Sequence, residues 1–246
     1  YPEGDAVCHN VLVHPPSGLV GGDTLDMHVT VGAGAHGLVT TPGATRFYRS
    51  DAGLATQQVH ARVAADARLE WLPLEAIAYN QCDALNRAVF ELAPGAEMMT
   101  WDITALGLPA ADLPFAQGRF RQHLEIPGPN GPIWLERGTL DATDTRLMDS
   151  PLGLAGHRCM ATLVFAAGSA IEPERSERAL ACARDLLEAS PLRLTAGATS
   201  PHQQVIVLRV LSPVTEPAMQ LLRQVWAAWR HEMWALPGNV PRLWNL

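Results

Sequence analysis

Residues 24–31 read Thr-Leu-Asp-Met-His-Val-Thr-Val, and apolar and polar side chains alternate strictly along them. Leu25, Met27, Val29 and Val31 fall on one face, and Thr24, Asp26, His28 and Thr30 on the other. A period of two marks a half-buried β-strand, because successive side chains of extended backbone point to opposite sides. Alternating or wholly apolar runs recur at 10–14, 36–41, 57–63, 68–72, 87–92, 97–105, 118–126, 132–140, 158–166 and 203–211. Turn residues separate them, as at Pro42-Gly43, Pro94-Gly95 and Pro127-Gly-Pro-Asn-Gly131. Pro-Gly suits a type II turn: proline presets φ, and glycine accepts φ > 0. The first two-thirds of the chain is therefore expected to be β.

Two segments break the pattern. Residues 173–189 open on proline, carry Glu174 and Glu177 early, and end before Ser190-Pro191; Leu180, Ala183 and Leu187 recur at helical spacing. Residues 216–234 likewise align Leu222, Val225, Trp226, Trp229 and Met233 in one stripe. The expectation is a mainly β chain with two α-helices in its C-terminal third. At 246 residues and 48% hydrophobic, the chain suffices for one domain over 1–246. Residues 107–117 and 141–157 read as long loops, and the strand runs share no fixed-period signature.

The formal charge of −7 argues against nucleic acid or an anionic membrane as partner. Every basic residue other than histidine is arginine. A phosphate-binding P-loop lysine, a Schiff base and a lysine nucleophile are thereby excluded. Cys8, Cys82, Cys159 and Cys182 are far apart and form no C-x-x-C, so reduced thiols and a cytoplasmic setting are expected. No apolar run approaches the ~18 residues of a spanning helix. The chain begins at Tyr1 rather than Met, so an upstream piece is expected to be missing.

Gly32-Ala-Gly34-Ala-His-Gly37 matches G-x-G-x-x-G after a strand. A dinucleotide site needs a helix to start there. The next residues are Leu-Val-Thr-Thr-Pro, β-branched and then broken by proline, so a glycine-rich turn is expected instead. Cys8, His9 and His14 carry ligand types suited to nickel, zinc or copper, but without the spacing of a closed site. Their plainer reading is a small buried thiol and two polar strand residues. His28, His36, His60 and His123 read as surface or satisfied strand residues. Glu70, Asp102 and Glu136 each interrupt an apolar strand. Each fits the polar face of an alternating strand; any that face inward need arginines or cations as partners. Carboxylates spaced along an internal polar passage would make a route for a divalent cation. No Ser/His/Asp constellation is suggested locally.

Several blocks are more specific. They are Tyr1-Pro-Glu, Cys8-His9, His14-Pro-Pro-Ser-Gly-Leu-Val-Gly-Gly-Asp23, Thr41-Pro-Gly-Ala-Thr-Arg-Phe-Tyr-Arg-Ser50, Leu69-Glu-Trp-Leu-Pro73, Trp101-Asp102, Glu136-Arg137 and Pro241-Arg-Leu-Trp244. In this order, over nearly the whole chain, they resemble the urease accessory protein UreD (UreH) family. The resemblance implies a helical wrap of many short strands, β-helix- or sandwich-like, with two helices. It implies a non-enzymatic chaperone that binds UreF, recruits the GTPase UreG through it, and helps deliver nickel into apo-urease. A dimer of UreD–UreF heterodimers is expected. No cofactor is permanently bound; Ni2+ is carried in transit. By motif position, Asp23, Asp102 and Glu136 are placed on the nickel passage, with Cys8, His9 and His14 near its mouth.

The chain departs from the family pattern at Ser17, Arg46, Leu74 and Leu106-Gly-Leu108, and in the adjoining loop to Gly118. Two alternatives stand beside the nickel reading. One is a β-helical carbohydrate-active enzyme with paired acids along a groove of exposed aromatics. The other is a scaffold that metal never touches.

Overall fold

The computed structural model describes residues 2–16 and 18–245. Tyr1, in one matched block, and Ser17, one of the departures, lie outside the described residues. The first coils contain β1 (Cys8–Val11), β2 (Gly18–Leu19), β3 (Thr24–Val31), β4 (His36–Thr40), β5 (Thr45–Phe47), β6 (Ala55–Val63), β7 (Arg68–Leu72) and β8 (Ala76–Ala78). Then come β9 (Asp83–Leu92), β10 (Glu97–Leu108), β11 (Leu113–Pro114), β12 (Arg119–Gly128), β13 (Gly131–Asp141) and the short α1 (Thr145–Asp149). The chain continues through β14 (Cys159–Ala167), α2 (Pro173–Glu188), β15 (Ala196–His202), β16 (Val205–Ser212) and α3 (Thr215–Trp234).

Among the described residues the strands form two sheets. The larger runs β1-β4-β7-β10-β14-β16-β15, with the short β2, β5, β8 and β11 attached; the smaller runs β13-β12-β9-β6-β3. From β3 to β10 the chain winds between them, so that β3, β6, β9 and β12 stack in parallel, as do β4, β7 and β10. One coil takes about thirty residues: Thr40 bonds Leu72 across 32 positions, and Gln57 bonds Asn86 across 29. This solenoid has no repeating motif in sequence, because what recurs is the level of a residue in the stack rather than its identity. After β10 the additions are antiparallel, through the β12–β13 hairpin and the β14, β16, β15 ladder.

Period-two patterning sets the layers. On β10, Met99, Trp101 and Ile103 face α2 and α3 on the outside of the larger sheet. Met98 and Leu106, of opposite parity, face the smaller sheet. The helix α2 starts with proline in its first turn and buries Ala179, Ala183 and Leu187. The helix α3 buries the whole expected stripe and ends at Ala235 in the left-handed conformation, φ 53°, two residues before Pro237. The chain then returns across the helix and inserts Trp244 between Trp101 and Trp226, with ring centroids 4.9 and 5.2 Å away. Trp226 and Trp229 are 0% exposed, Trp234 6% and Trp244 5%. The aromatic-rich C-terminal stretch is thus core.

The structure adds elements that periodicity did not show. The stretch 141–157 contains α1, capped by the Asp144 side chain accepting from Leu147 N–H. β15 contains Gly197, Ser200 and Pro201, and lies at the sheet edge, where little apolar content is needed. Among the described residues, no helix is long and apolar enough to cross a membrane.

Candidate functional site

Between the two sheets lie two apolar clusters. One contains Val59, Leu124, Val164 and Val207; the other contains Ala55, Ala84 and Phe120, with Met160 and Leu211 packed against it. Six of the strands that cross from one cluster to the other, β6, β9, β10, β12, β14 and β16, carry a polar residue at the crossing. On the smaller sheet, Gln57 of β6 is in register with Asn86 of β9, and Asn86 with Gln122 of β12. On the larger sheet, Asp102 of β10 is in register with Thr162 of β14, and Thr162 with Arg209 of β16. Glu136 of β13 closes the row at one side. Two facing ladders therefore make a polar belt through the sandwich interior.

The belt is bonded in two stretches. Thr45 Oγ1 donates to Gln57 Oε1 at 3.2 Å, and Gln57 Nε2 to Asn86 Oδ1 at 3.2 Å. Asn86 Nδ2 donates to Asp102 Oδ2 at 2.8 Å, and Thr104 Oγ1 to Asp102 Oδ1 at 3.1 Å. Thr162 Oγ1 donates to Glu136 Oε1 at 3.2 Å. Arg209 reaches Glu136 Oε2 at 3.5 Å and stacks over Trp134, 5.4 Å from the ring centroid. Asp102 is half-buried between the sheets. Burial, and then the negative charge of Glu136, push its carboxyl up to about 6; bonds from Thr104 and Gln122 only partly offset this.

Each end of the belt opens into a cavity. One, about 340 Å³, is lined by His14, Leu25, Trp71, Thr45 and Gln57. The other, about 690 Å³, is lined by Trp134, Glu136, Thr162, Gly197 and Arg209. At the second, the buried atoms Glu136 Oε2 and Trp134 Nε1 accept and donate no hydrogen bond. A roomy space with an orphan acceptor and an orphan donor is suited to water or an ion.

The six residues singled out from the sequence separate into four places. Asp102 and Glu136 lie in the belt, and His14 lines the cavity at its other end. His9 is drawn elsewhere, into a buried ionic cluster. Its Nε2 is 2.7 Å from Glu3, which pairs at 3.0 Å with Arg230; Arg230 also lies 3.2 Å from Glu70, and Glu70 bonds His36 at 2.8 Å. Burial acts to raise the Glu3 carboxyl, but bonds from Arg230 and His9 outweigh it and hold it below its ordinary value. Cys8 is exposed on β1.

Asp23 is exposed in the turn before β3, where its carboxylate accepts from Val20 N–H at 3.0 Å. The neighbouring glycines serve that turn: a Cβ on Gly21 would collide with the Ala52 carbonyl oxygen, and Gly22 has φ +92°. The backbone that approaches Gly21 so closely is the chain's own. Among the described residues, no three His, Cys, Asp or Glu are grouped to hold a metal ion. All tryptophans but Trp134 are buried.

Gln57, Asn86, Gln122, Thr162 and Arg209 escaped the sequence reading. The available signal was one polar residue flanked two positions away on both sides by apolar ones, as in Phe120-Arg-Gln122-His-Leu124.

The sequence profile of the family described as UreD urease accessory protein matches residues 1–245. The urease accessory protein UreD of Paracidovorax citrulli is 63% identical over 246 residues, covering 100% of this chain and 88% of that protein. That of Polaromonas naphthalenivorans is 62% identical with the same coverage, and that of Leptothrix cholodnii 54% identical over 245 residues, covering 100% and 87%.

Proposed function

The chain belongs to the UreD urease accessory protein family, and on that premise we propose that it is a non-catalytic scaffold whose inter-sheet belt carries nickel toward apo-urease. Family membership supports a role in urease maturation. In the proposed complex the chain binds UreF, and through it the GTPase UreG, as a dimer of UreD–UreF heterodimers in the cytoplasm.

One observation carries the nickel reading: a polar row with two carboxylates, hydrogen-bonded in two stretches, lies between two cavities in an otherwise apolar sandwich. Its chemistry suits a cation in transit. Carboxylate, amide and hydroxyl oxygens are exchangeable ligands, whereas a closed thiolate site would retain nickel. Burial raises Cys82 and Cys159 to about 12, so these thiols stay protonated and offer no trap. Asp102 and Glu136 are the charged steps, and Gln57, Asn86, Gln122 and Thr162 the neutral ones.

The test is nickel per active site of co-expressed urease, measured beside a pull-down of the complex with UreF. Asp102→Ala and Glu136→Ala are expected to leave the complex assembled and to lower nickel content. Asp23→Ala serves as a control, since its carboxylate holds a turn outside the belt. Full nickel loading with the Asp102/Glu136 double variant would refute the route and favour a scaffold that never touches metal.

A further inference from the structure

We propose that Arg209 is a displaceable counter-ion that caps the belt at Glu136 and sets how tightly a divalent cation is held there. The inference rests on the nickel-route reading and assigns it a residue that controls it.

Four observations carry it. The contact between Arg209 and Glu136 Oε2 is 3.5 Å, and that oxygen accepts no hydrogen bond from any group. The pair is therefore held by charge without the aligned bonds that make arginine–carboxylate pairs durable. The Arg209 side chain is 58% exposed while Glu136 is 12% exposed, so the guanidinium can move to water and the carboxylate cannot follow. The Trp134 ring beneath Arg209 offers a second resting place that needs no anion. Finally, the cross-strand partner of Arg209 on β15 is Gly197, and nothing lies within 4 Å of where its Cβ would be. Directly paired residues share a face, so this missing side chain leaves space beside the guanidinium, at the rim of the same cavity.

A cation arriving at Glu136 meets the positive charge of Arg209. Repulsion drives the guanidinium toward Gly197, and departure of the cation draws it back. Without cargo, Arg209 compensates a buried carboxylate that would otherwise be costly; with cargo, it competes. It thereby keeps binding weak enough for release.

The experiment is nickel(II) titration of the purified chain against a chromophoric chelator. Arg209→Met keeps the length of a partly exposed side chain and removes its charge. Nickel is expected to bind on the order of tenfold more tightly, through loss of one nearby like charge. The gain is expected to vanish in Arg209→Met/Glu136→Gln. Damage to the fold does not tighten binding, so the sign separates a controlling role from a structural one. Gly197→Leu fills the space without touching a charge and is expected to slow nickel association severalfold. Unchanged or weaker affinity in Arg209→Met would overturn the cap while leaving the route intact. If Glu136→Gln alone leaves nickel binding unaltered, the route fails and the cap with it.

Discussion

Replacing Asp102 by asparagine should make the protein more stable at neutral pH and less able to support nickel loading. The carboxyl is raised from 3.8 to about 6 by burial and by Glu136. A folded-state value above the unfolded one means that ionisation favours unfolding. Below pH ~4 the group is protonated in both states and costs nothing. Between pH 4 and 6 the unfolded state loses its proton first, and stability falls. Above 6 the loss is complete. A shift of this size corresponds to roughly 3 kcal/mol, taken as an upper bound because the residue is only half-buried. Asparagine has nearly the same shape: its Oδ1 can still accept from Asn86, and its Nδ2 can donate to the Thr104 hydroxyl, which accepts as well as donates. The difference in unfolding free energy between Asp102→Asn and the parent should therefore be near zero at pH 4 and approach about 3 kcal/mol at pH 8, equivalent to ~6–12 °C in Tm for a chain of this size. Urea melts of both proteins across pH 4–8 measure it, and the difference between them cancels the titrating groups that are not coupled to Asp102. A difference that is flat with pH, or a variant less stable than the parent at pH 8, would show that Asp102 is not ionised at a cost, and the electrostatic account of the belt would be wrong.

Other expectations are simpler to check. Of the four thiols, only the exposed Cys8 should react rapidly with a thiol reagent in the native state, because burial raises Cys82 and Cys159 to about 12 and Cys182 to about 11; Cys8→Ser should remove the fast phase. Arg230→Met leaves Glu3 and Glu70, 6% and 0% exposed, without their shared guanidinium, and should lower the urea-unfolding free energy by about 3–5 kcal/mol. Gly21→Ala forces a Cβ against the Ala52 backbone and should cost about 1–3 kcal/mol in the same assay, without altering nickel content per folded complex.

The sequence displayed what local periodicity controls. The strict alternation at 24–31 became β3, and the stripes over 173–189 and 216–234 became α2 and α3 within a residue at each end. Three acids inside apolar strands were legible as groups in need of partners, and Glu70 illustrates why their partners were not. It accepts from Trp226, 156 residues away, and pairs with Arg230. His9 looked like a companion of Cys8 because they are adjacent; its actual partner, Glu3, is tied to a helix 227 residues on. The coils were hidden for a related reason. Their register joins residues some thirty positions apart, and a ladder such as Gln57, Asn86 and Gln122 needs only the polar character to match, not the motif.

That ladder also bears on why an apolar sandwich keeps a polar belt at all. Interior amides that bond one another can fix the register of stacked strands, and a purely structural belt would be satisfied throughout. The amides fit that description: Gln57 bonds Asn86, and Asn86 bonds Asp102. The acids fit it less well. Burial, and then the charge of a second carboxylate, hold Asp102 at a raised value although both its oxygens accept hydrogen bonds, and one oxygen of Glu136 is buried without one beside a cavity. Register would be served as well by two more amides at lower cost. The costly charge lies on the two carboxylates of the proposed route, while Asp23, whose carboxylate accepts from Val20 N–H, lies outside. The unfavourable electrostatics of the belt is thus concentrated where the proposed cation transfer would use it.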